Sequence, residues 1–296
     1  MYPGFLEGFN LKLAHGLIKL LPLFIVANVV GLGIEFWFAA KKGHGIEEGF
    51  LVSGALIPLI MPPDVPLWIL GVAVAFAVII GKEAFGGTGM NIWNVALLAR
   101  VFVFFAYPTT IAGDQVWVSV DGFTGATPLA LAYQGGWSAV TEVYSTSAMW
   151  WGTIPGSIGE TSKPFILIGV VILLITRIAS WRIMLSMLIG ASLMAMILNA
   201  WDATPFMSVP WYYQFWMGSF FFAMAFMATD PVTAASTNTG KWIYGFLIGF
   251  IGMIVRVLNP AYPEGWMLAI LFLNTFAPLM DHYIIQSNIT KRLKRA

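Results

Sequence analysis

Long apolar stretches, separated by short polar turns, run through almost the whole chain. Most of them are about 17–25 residues long, which is the length of helix that crosses the hydrocarbon core of a bilayer. Their apolar residues do not alternate with polar ones, so the pattern favours helices over the strands of a membrane barrel. We therefore predict an all-α fold, a polytopic transmembrane helix bundle of about nine spans. The predicted spans are 17–40, 49–62, 66–82, 91–107, 164–179, 181–200, 211–229, 241–257 and 265–286.

Two of the predicted spans, 49–62 and 66–82, are short and are bounded or interrupted by prolines. Because proline ends or kinks a helix, we expect them to form a partly inserted hairpin, which is tolerated only inside a protein bundle. Residues 108–163 form the one long segment that is too polar for a membrane helix. We therefore treat 1–296 as a single membrane domain that carries the loop 108–163.

Composition supports a membrane protein and excludes several other classes. Hydrophobic residues make up 59% of the chain and charged residues only 10%, against roughly 25% charged residues in soluble domains. The absence of cysteine excludes disulfides, thiol catalysis and cysteine-ligated iron–sulfur clusters on this chain. The three histidines are scattered, so no metal site is predicted, and a net charge of +1 gives no footprint for nucleic acid.

The basic residues predict the orientation of the bundle, because positively charged turns stay in the cytoplasm. Alternating sides, counted back from the basic C-terminus, put most of the basic turns on one side and most of the acidic ones on the other. The basic turns lie at 291–295, 241, 177–182, 82 and 41–42. This arrangement predicts a multi-pass protein with the loop 108–163 facing outward. It also puts the N-terminus outside, which one further helix upstream would correct.

The loop contains the octapeptide 121–128, which reads Asp-Gly-Phe-Thr-Gly-Ala-Thr-Pro. Glycines let the backbone approach a ligand closely, and the hydroxyls of Thr124 and Thr127 are possible phosphoester acceptors. The carboxylate of Asp121 is placed to orient such a hydroxyl. An ordinary turn explains the same residues, and from the residues alone it is the favoured interpretation.

A resemblance to a known motif changes that balance. Asp121, Thr124, Gly125, Ala126 and Thr127 resemble the flavinylation motif Asp-x-x-(Ser/Thr)-Gly-Ala-Thr. In proteins with this motif a flavin transferase attaches FMN through its phosphate to the last threonine. The resemblance therefore implies a covalent FMN on Thr127, in a loop on the periplasmic side of a bacterial inner membrane.

The resemblance covers nearly the whole chain and points to one family. The matching segments are 81–91, 100–108, 154–160, 227–231, 259–265 and 276–282. They are similar to the family of the B subunit of the Na⁺-translocating NADH:quinone oxidoreductase, to which the D subunit of the Rnf complex is related. Members have ten spans, and this chain begins just before the second, so we expect a truncated or naturally short form.

Two asparagines after a glycine-rich turn are candidate cofactor ligands. Asn91 and Asn94 are three residues apart, and in a helix this spacing puts both amides on one face, where they suit a planar heterocycle. Helix capping by Asn91 and an interhelical hydrogen bond from Asn94 are the alternative. The resemblance implies that both residues lie beside a noncovalent riboflavin.

Three acidic residues within or at the ends of spans are candidates for an ion pathway: Glu35, Asp230 and Asp281. Carboxylates inside a membrane are costly and usually functional, and their oxygens suit a hard cation such as Na⁺. All three also lie towards the cytoplasmic ends, where a carboxylate can reach water without having a function. The resemblance implies a role in Na⁺ uptake.

The segment around Glu35 is also the candidate quinone site. Gly31, Leu32 and Glu35 correspond to the part of the family that lines the ubiquinone pocket. Leu32 stands where the family has a second glycine, which narrows the approach of a flat ring. Small-residue packing between helices is the alternative explanation of Gly31. Arg100 lies inside a span and needs a partner, and the turn 156–160 suits either flavin contact or a plain loop.

Three functions remain open at this point. The favoured one is a redox subunit that carries FMN and riboflavin, receives electrons from NADH through other subunits and passes them to ubiquinone, coupled to Na⁺ export. No catalytic side chain is predicted, since the cofactors would carry the redox chemistry. No dinucleotide fingerprint follows a predicted strand, so NADH must bind elsewhere. The alternatives are an Rnf-type subunit serving ferredoxin and NAD⁺, and a solute channel of the urea or ammonium class.

Overall fold

The computed structural model describes residues 9–43, 49–110, 126–259 and 265–295, and these contain helices and turns but no strand. The all-α prediction is confirmed. The α-helices are α1 (Phe9–Lys42), α2 (Phe50–Ile60), α3 (Leu67–Gly81), α4 (Val95–Ala106), α5 (Pro128–Val143), α6 (Thr146–Trp151), α7 (Lys163–Ile175), α8 (Trp181–Trp201), α9 (Phe220–Phe222), α10 (Asn238–Leu258) and α11 (Trp266–Leu293).

Five helical stretches within the described ranges are long and apolar enough to cross a membrane: Leu13–Lys42, Leu67–Phe85, Trp181–Trp201, Asn238–Leu258 and Trp266–Leu293. Three further apolar helices, α2, α4 and α7, are shorter than a full crossing. A multi-pass helical protein is therefore confirmed, whereas the count of nine spans stays a prediction.

Two predicted spans differ from the structure in detail. Residues 211–229 do not form one helix, since they contain a 3₁₀ turn at Tyr213–Phe215, then α9, then a π-helix at Ala223–Met227. Gly218 separates the 3₁₀ turn from α9 and has φ of +67°, a value that a right-handed helix does not contain. The span predicted to start at residue 91 becomes helical only at α4, so Asn91 and Asn94 both precede that helix.

Large apolar side chains remain exposed along the helices. On α7, Phe165 is 71% exposed, Ile172 56% and Ile175 76%. A run of such side chains on one short helix is costly in water and favourable against lipid tails. The exposed surface therefore agrees with the membrane location that the hydropathy predicts.

The chain divides into two compact units, which we describe separately. Unit 1 comprises Met1–Asn91, Val95–Ala130 and Tyr144–Ser162. In it α1 packs against α2 and α3, and α4 also packs against α2 and α3. The segment 61–66, rich in proline, connects α2 to α3, and the partly inserted hairpin stays a prediction.

Unit 2 comprises Ile92–Asn94, Leu131–Val143 and Lys163–Ala296, and its centre is the packing of α8 and α11 on α10. Helices α8 and α10 pack closely because a glycine on each of them faces the backbone of the other. A Cβ atom added at Gly249 would lie 2.1 Å from the Met187 carbonyl oxygen, and one added at Gly190 would lie 2.2 Å from the Phe246 carbonyl oxygen. Small residues at such positions let membrane helices pack tightly.

We expect Gly249→Ala to push α8 and α10 apart and to lower stability by about 1–3 kcal/mol, the usual cost of overpacking. Thermal unfolding in detergent, followed by tryptophan fluorescence, measures this. Gly16→Ala on α1 is the matched control, because nothing lies within 4 Å of the added Cβ. Equal midpoints for the two variants would show that the α8–α10 contact tolerates a methyl group.

Candidate functional site

The predicted attachment residue lies at the start of a helix. Thr127 immediately precedes α5, and its Oγ1 accepts a hydrogen bond from the Ala130 amide at 3.3 Å. This is the contact of an N-cap residue, and Pro128 takes the first helical position that proline prefers. The backbone of α5 is kinked at Gly136, which has φ of +71°, so an anion linked to the Thr127 hydroxyl would lie at the positive end of the helical segment 128–135.

A tyrosine fixes the backbone next to Thr127. The Tyr144 hydroxyl donates a hydrogen bond to the Ala126 carbonyl at 3.0 Å, and the Tyr144 side chain is buried. Both of the last two motif residues are thus fixed, Thr127 by its hydrogen bond at the start of α5 and Ala126 by the hydrogen bond to its carbonyl. The other motif positions, Asp121, Thr124 and Gly125, lie outside the residues that the structure describes.

The spacing of the two candidate riboflavin residues predicted that they share one helix face. The chain before α4 is not helical, so they do not. Asn91 is half-buried in unit 1, and Asn94 is buried in unit 2. The Asn94 amide nitrogen lies 3.4 Å from the Asp230 carboxylate. Asn94 is therefore part of a polar cluster rather than of a helix surface.

Asp230 is a centre of that cluster. Its carboxylate accepts hydrogen bonds from the Thr233 hydroxyl at 2.9 Å and from the Val232 amide at 3.2 Å. It follows the π-helix Ala223–Met227, outside the five long spans. Burial raises the pKa of the Asp230 carboxyl above its ordinary value, and the hydrogen bonds that it accepts act in the opposite direction.

Two fully buried polar side chains extend the cluster between helices. The Tyr244 hydroxyl of α10 and the Asn274 amide of α11 lie 2.5 Å apart. With the Asn274 amide turned so that its nitrogen donates to Tyr244 and to the Ile270 carbonyl, its oxygen accepts from the Asn94 backbone amide at 3.2 Å. Asn94, Asp230, Tyr244 and Asn274 thus form one network inside unit 2.

Asp281 has a defined structural contact. Its carboxylate accepts hydrogen bonds from the Ser236 amide at 2.6 Å, from the Thr237 amide at 3.0 Å and from the Thr237 hydroxyl at 2.5 Å. Thr237 is the N-cap of α10, so Asp281 from α11 satisfies donors at the start of another helix. A negative charge there is also favoured by the helix dipole.

Glu35 on α1 forms a buried ion pair with Lys82, which follows α3. Their side chains are only 7% and 4% exposed. The next residue after Lys82, Glu83, is also buried, and its carboxylate binds the Lys42 ammonium at 2.9 Å. The sequence marks Lys82 only as a basic residue at a span end and does not predict its burial.

One of the candidate quinone residues, Gly31, lies against an aromatic ring. Gly31 is so close to Phe50 of α2 that an added Cβ would lie 2.0 Å from the ring. Leu32 is half-buried, and the buried Phe50 ring centroid lies 5.8 Å from the Lys82 ammonium. Gly31 therefore serves helix packing in this structure, and any flat ring binding here would meet Phe50.

Arg100 has the partner that the sequence left unassigned. Its guanidinium binds the Glu160 carboxylate at 2.6 Å, and both side chains are buried. The Ser157 hydroxyl donates to the other Glu160 oxygen at 2.7 Å and lies 3.2 Å from the Ile60 carbonyl. The turn 156–160 is thus tied into unit 1 through a buried charge, which explains why its polar residues are there.

In the part of the chain that the structure describes, His, Asp and Glu side chains form no group of three or more suited to a metal ion. Sequence reasoning did not single out Tyr144, Tyr244, Asn274 or Lys82. The available signal was a polar residue inside an otherwise apolar run, which marks a candidate but does not show what it contacts.

Comparisons with known proteins cover almost the entire chain. The sequence model of the NQR2, RnfD, RnfE family matches residues 8–290. The B subunit of the Na⁺-translocating NADH-quinone reductase of Chromohalobacter salexigens is 52% identical over 286 residues, which are 95% of this chain and 69% of that protein. The protein of the same name from Pseudomonas aeruginosa is 47% identical over an alignment of 303 positions, which covers 99% of this chain and 74% of that protein. The one from Klebsiella pneumoniae is 49% identical over 287 residues, covering 95% and 70%.

The buried Arg100–Glu160 pair yields a stability prediction. Glu160→Ala leaves a buried guanidinium without its carboxylate and should cost about 3–5 kcal/mol, whereas Arg100→Met with Glu160→Met should recover most of the loss. Thermal unfolding of the purified variants measures both. Asp64→Ala is the control, since it breaks the exposed pair with Lys19 and should cost about 0–1 kcal/mol. A double variant as unstable as Glu160→Ala would contradict the account.

Proposed function

Because the chain belongs to the NQR2, RnfD, RnfE family, we propose that it is the B subunit of a Na⁺-translocating NADH:ubiquinone reductase. In this role it is a multi-pass protein of the bacterial inner membrane that works with other subunits of a redox complex. Those subunits would bind NADH and deliver its electrons, which this chain would pass to ubiquinone while Na⁺ is exported. The relatives' names and the helical, lipid-suited surface support this assignment.

The proposed covalent FMN is bound through the Thr127 hydroxyl. The observation that carries this proposal is the position of Thr127 as N-cap of α5, at the end of the flavinylation motif. Backbone amides and the helix dipole at that end favour a phosphate. Tyr144 holds the neighbouring carbonyl, which limits the motion of the attachment residue. When bound, FMN supplies the electron-carrying chemistry, and a separate flavin transferase attaches it.

A second flavin, noncovalent riboflavin, is proposed near Asn91 and Asn94. The network around Asn94 supports a polar site inside unit 2, where the Asn94 and Asn274 amides are buried and the Asp230 carboxylate is hydrogen-bonded. A polyhydroxylated ligand needs such partners when it leaves water. Ubiquinone is proposed beside Gly31, Leu32 and Glu35, where an incoming flat ring would have to displace the buried Phe50 ring from Gly31.

The proposed Na⁺ pathway uses the carboxylates of Glu35, Asp230 and Asp281. Oxygen ligands suit this hard cation, and each carboxylate is at least partly shielded by neighbouring elements. The distribution of basic turns supports an orientation with these groups towards the cytoplasm and the loop 108–163 towards the periplasm, where the transferase would act. Membrane lipid covers the exposed apolar helix surfaces.

Thr127→Ala, produced together with the flavin transferase, should abolish covalent flavin. The measurement is the fluorescent band of the denatured protein under ultraviolet light, with mass spectrometry of the 108–163 segment to locate the adduct. Thr141→Ala is the control, because Thr141 is an exposed threonine of α5 whose hydroxyl bonds only to backbone carbonyls of its own helix in the structure.

A wild-type protein without a fluorescent band would remove the centre of the proposal and would leave the channel alternative open. A band retained in Thr127→Ala would move the attachment to another residue. Quinone-dependent oxidation of NADH by the intact complex separates the proposed enzyme from an Rnf-type complex, which would use ferredoxin and NAD⁺ instead.

Asp281→Ala should slow Na⁺-dependent turnover of the complex and raise the Na⁺ concentration that gives half of the maximal rate. Because Asp281 also caps α10, assembly is measured in parallel by the amount of complex recovered. Thr237→Ala is the comparison variant, since it removes a capping hydroxyl and leaves the carboxylate in place, and it should not raise the half-saturating Na⁺ concentration. An unchanged Na⁺ dependence in Asp281→Ala would count against an ion-handling role.

A further inference from the structure

The Glu35–Lys82 pair joins two elements of unit 1 that are far apart in sequence. Glu35 lies on α1, and Lys82 directly follows the last residue of α3. The Lys82 ammonium contacts a Glu35 oxygen directly, and both side chains are almost completely removed from the surface. The pair therefore holds a carboxylate and a fixed monovalent cation together inside an apolar bundle.

Stability alone does not require such a pair. Removing two charges from water costs more than their attraction often returns, and apolar residues of similar size frequently replace buried pairs without loss. The surrounding helices are built from apolar residues, so an apolar contact would fit the same position. The charges of this pair are therefore open to a role beyond holding α1 to the end of α3.

The lysine is chemically similar to the ion that the carboxylate is proposed to bind. An ammonium is a compact charge of +1 on a flexible stem, and it contacts one oxygen of the carboxylate to which a Na⁺ ion would bind. The flexible side chain of Lys82 also allows the ammonium to move. The Phe50 ring centroid lies 5.8 Å from the ammonium while the pair is formed, so a cation–π contact can be kept on that side when the ammonium moves off the Glu35 oxygen.

We propose that Lys82 is a tethered competitor of Na⁺ at Glu35. Na⁺ binds to the Glu35 carboxylate only when the Lys82 ammonium moves aside, and the ammonium returns to the carboxylate when the ion leaves. Lys82 is thus a positioning and specificity-determining residue that keeps Na⁺ affinity low enough for release. This inference rests on the ion-handling role proposed above for Glu35.

The test uses the intact, assembled complex and compares Lys82→Met with Lys82→Arg. Lys82→Met removes the competing charge and should lower the half-saturating Na⁺ concentration on the order of tenfold. Lys82→Arg should raise it several-fold, because a guanidinium can hold a carboxylate with two parallel hydrogen bonds. Lys42→Met is the matched control, since it breaks the neighbouring Lys42–Glu83 pair and should leave the Na⁺ dependence as it is.

A second readout does not depend on turnover. A hydrophobic carbodiimide modifies protonated buried carboxyl groups, and mass spectrometry of the peptide that contains Glu35 measures its modification. In Lys82→Met, Glu35 should be modified more than in the wild type, and Na⁺ should protect it at concentrations roughly tenfold lower than those that stimulate wild-type turnover. Protection by K⁺ at the same concentrations would show an ordinary ionic-strength effect and would overturn the proposal.

The outcomes separate this inference from the proposed function. If Glu35→Gln leaves the Na⁺ dependence unchanged, the ion-handling role of Glu35 fails. If Glu35→Gln alters it but Lys82→Met and Lys82→Arg do not, Lys82 is a structural partner only and the present inference fails alone. Should Lys82→Met not assemble, Lys82→Arg decides, because it keeps the charge and fills the site.

Discussion

A charge buried among apolar helices must have a partner, and unit 1 depends on this constraint. The Glu35–Lys82 and Arg100–Glu160 pairs each join segments that are distant in sequence, separated by 47 and 60 residues. Neither pair is exposed enough for water to replace a lost partner. Each pair therefore fixes the register of two elements, because sliding either one would separate charges in a medium of low dielectric constant.

The same constraint makes helix ends the places where chemistry is possible. The first backbone amides of a helix have no acceptor within the helix, and in this chain side-chain oxygens accept their hydrogen bonds. Thr127 does so for α5, and Thr237 together with Asp281 does so for α10. These are the positions where an anion or a carboxylate is stabilised by the backbone, so the proposed flavin linkage and one proposed ion ligand both lie at helix starts.

The sequence predicts the helical class, the long spans and the flavinylation motif, because hydropathy and motif spacing are local properties. It does not predict which polar groups meet. The position of Arg100 inside a span shows that it needs a partner, yet only the structure identifies Glu160, since 60 residues of chain separate them. Local breaks also escape the hydropathy pattern. Gly218 interrupts the span predicted at 211–229, and the turn before α4 removes Asn91 and Asn94 from a helix face.

The carboxylates proposed for ion transport share one property: each already accepts donors from the chain itself. The Asp281 carboxylate accepts hydrogen bonds from two backbone amides and a hydroxyl. The Asp230 carboxylate accepts from the Thr233 hydroxyl and the Val232 amide, and the Glu35 carboxylate pairs with the Lys82 ammonium. A Na⁺ ion arriving at any of them must replace an interaction that the protein has already made, so its net binding is weaker than binding to a bare carboxylate. Transport requires this, since an ion that binds too tightly does not leave. Structural pairing and ion release are, on this view, two consequences of the same contacts.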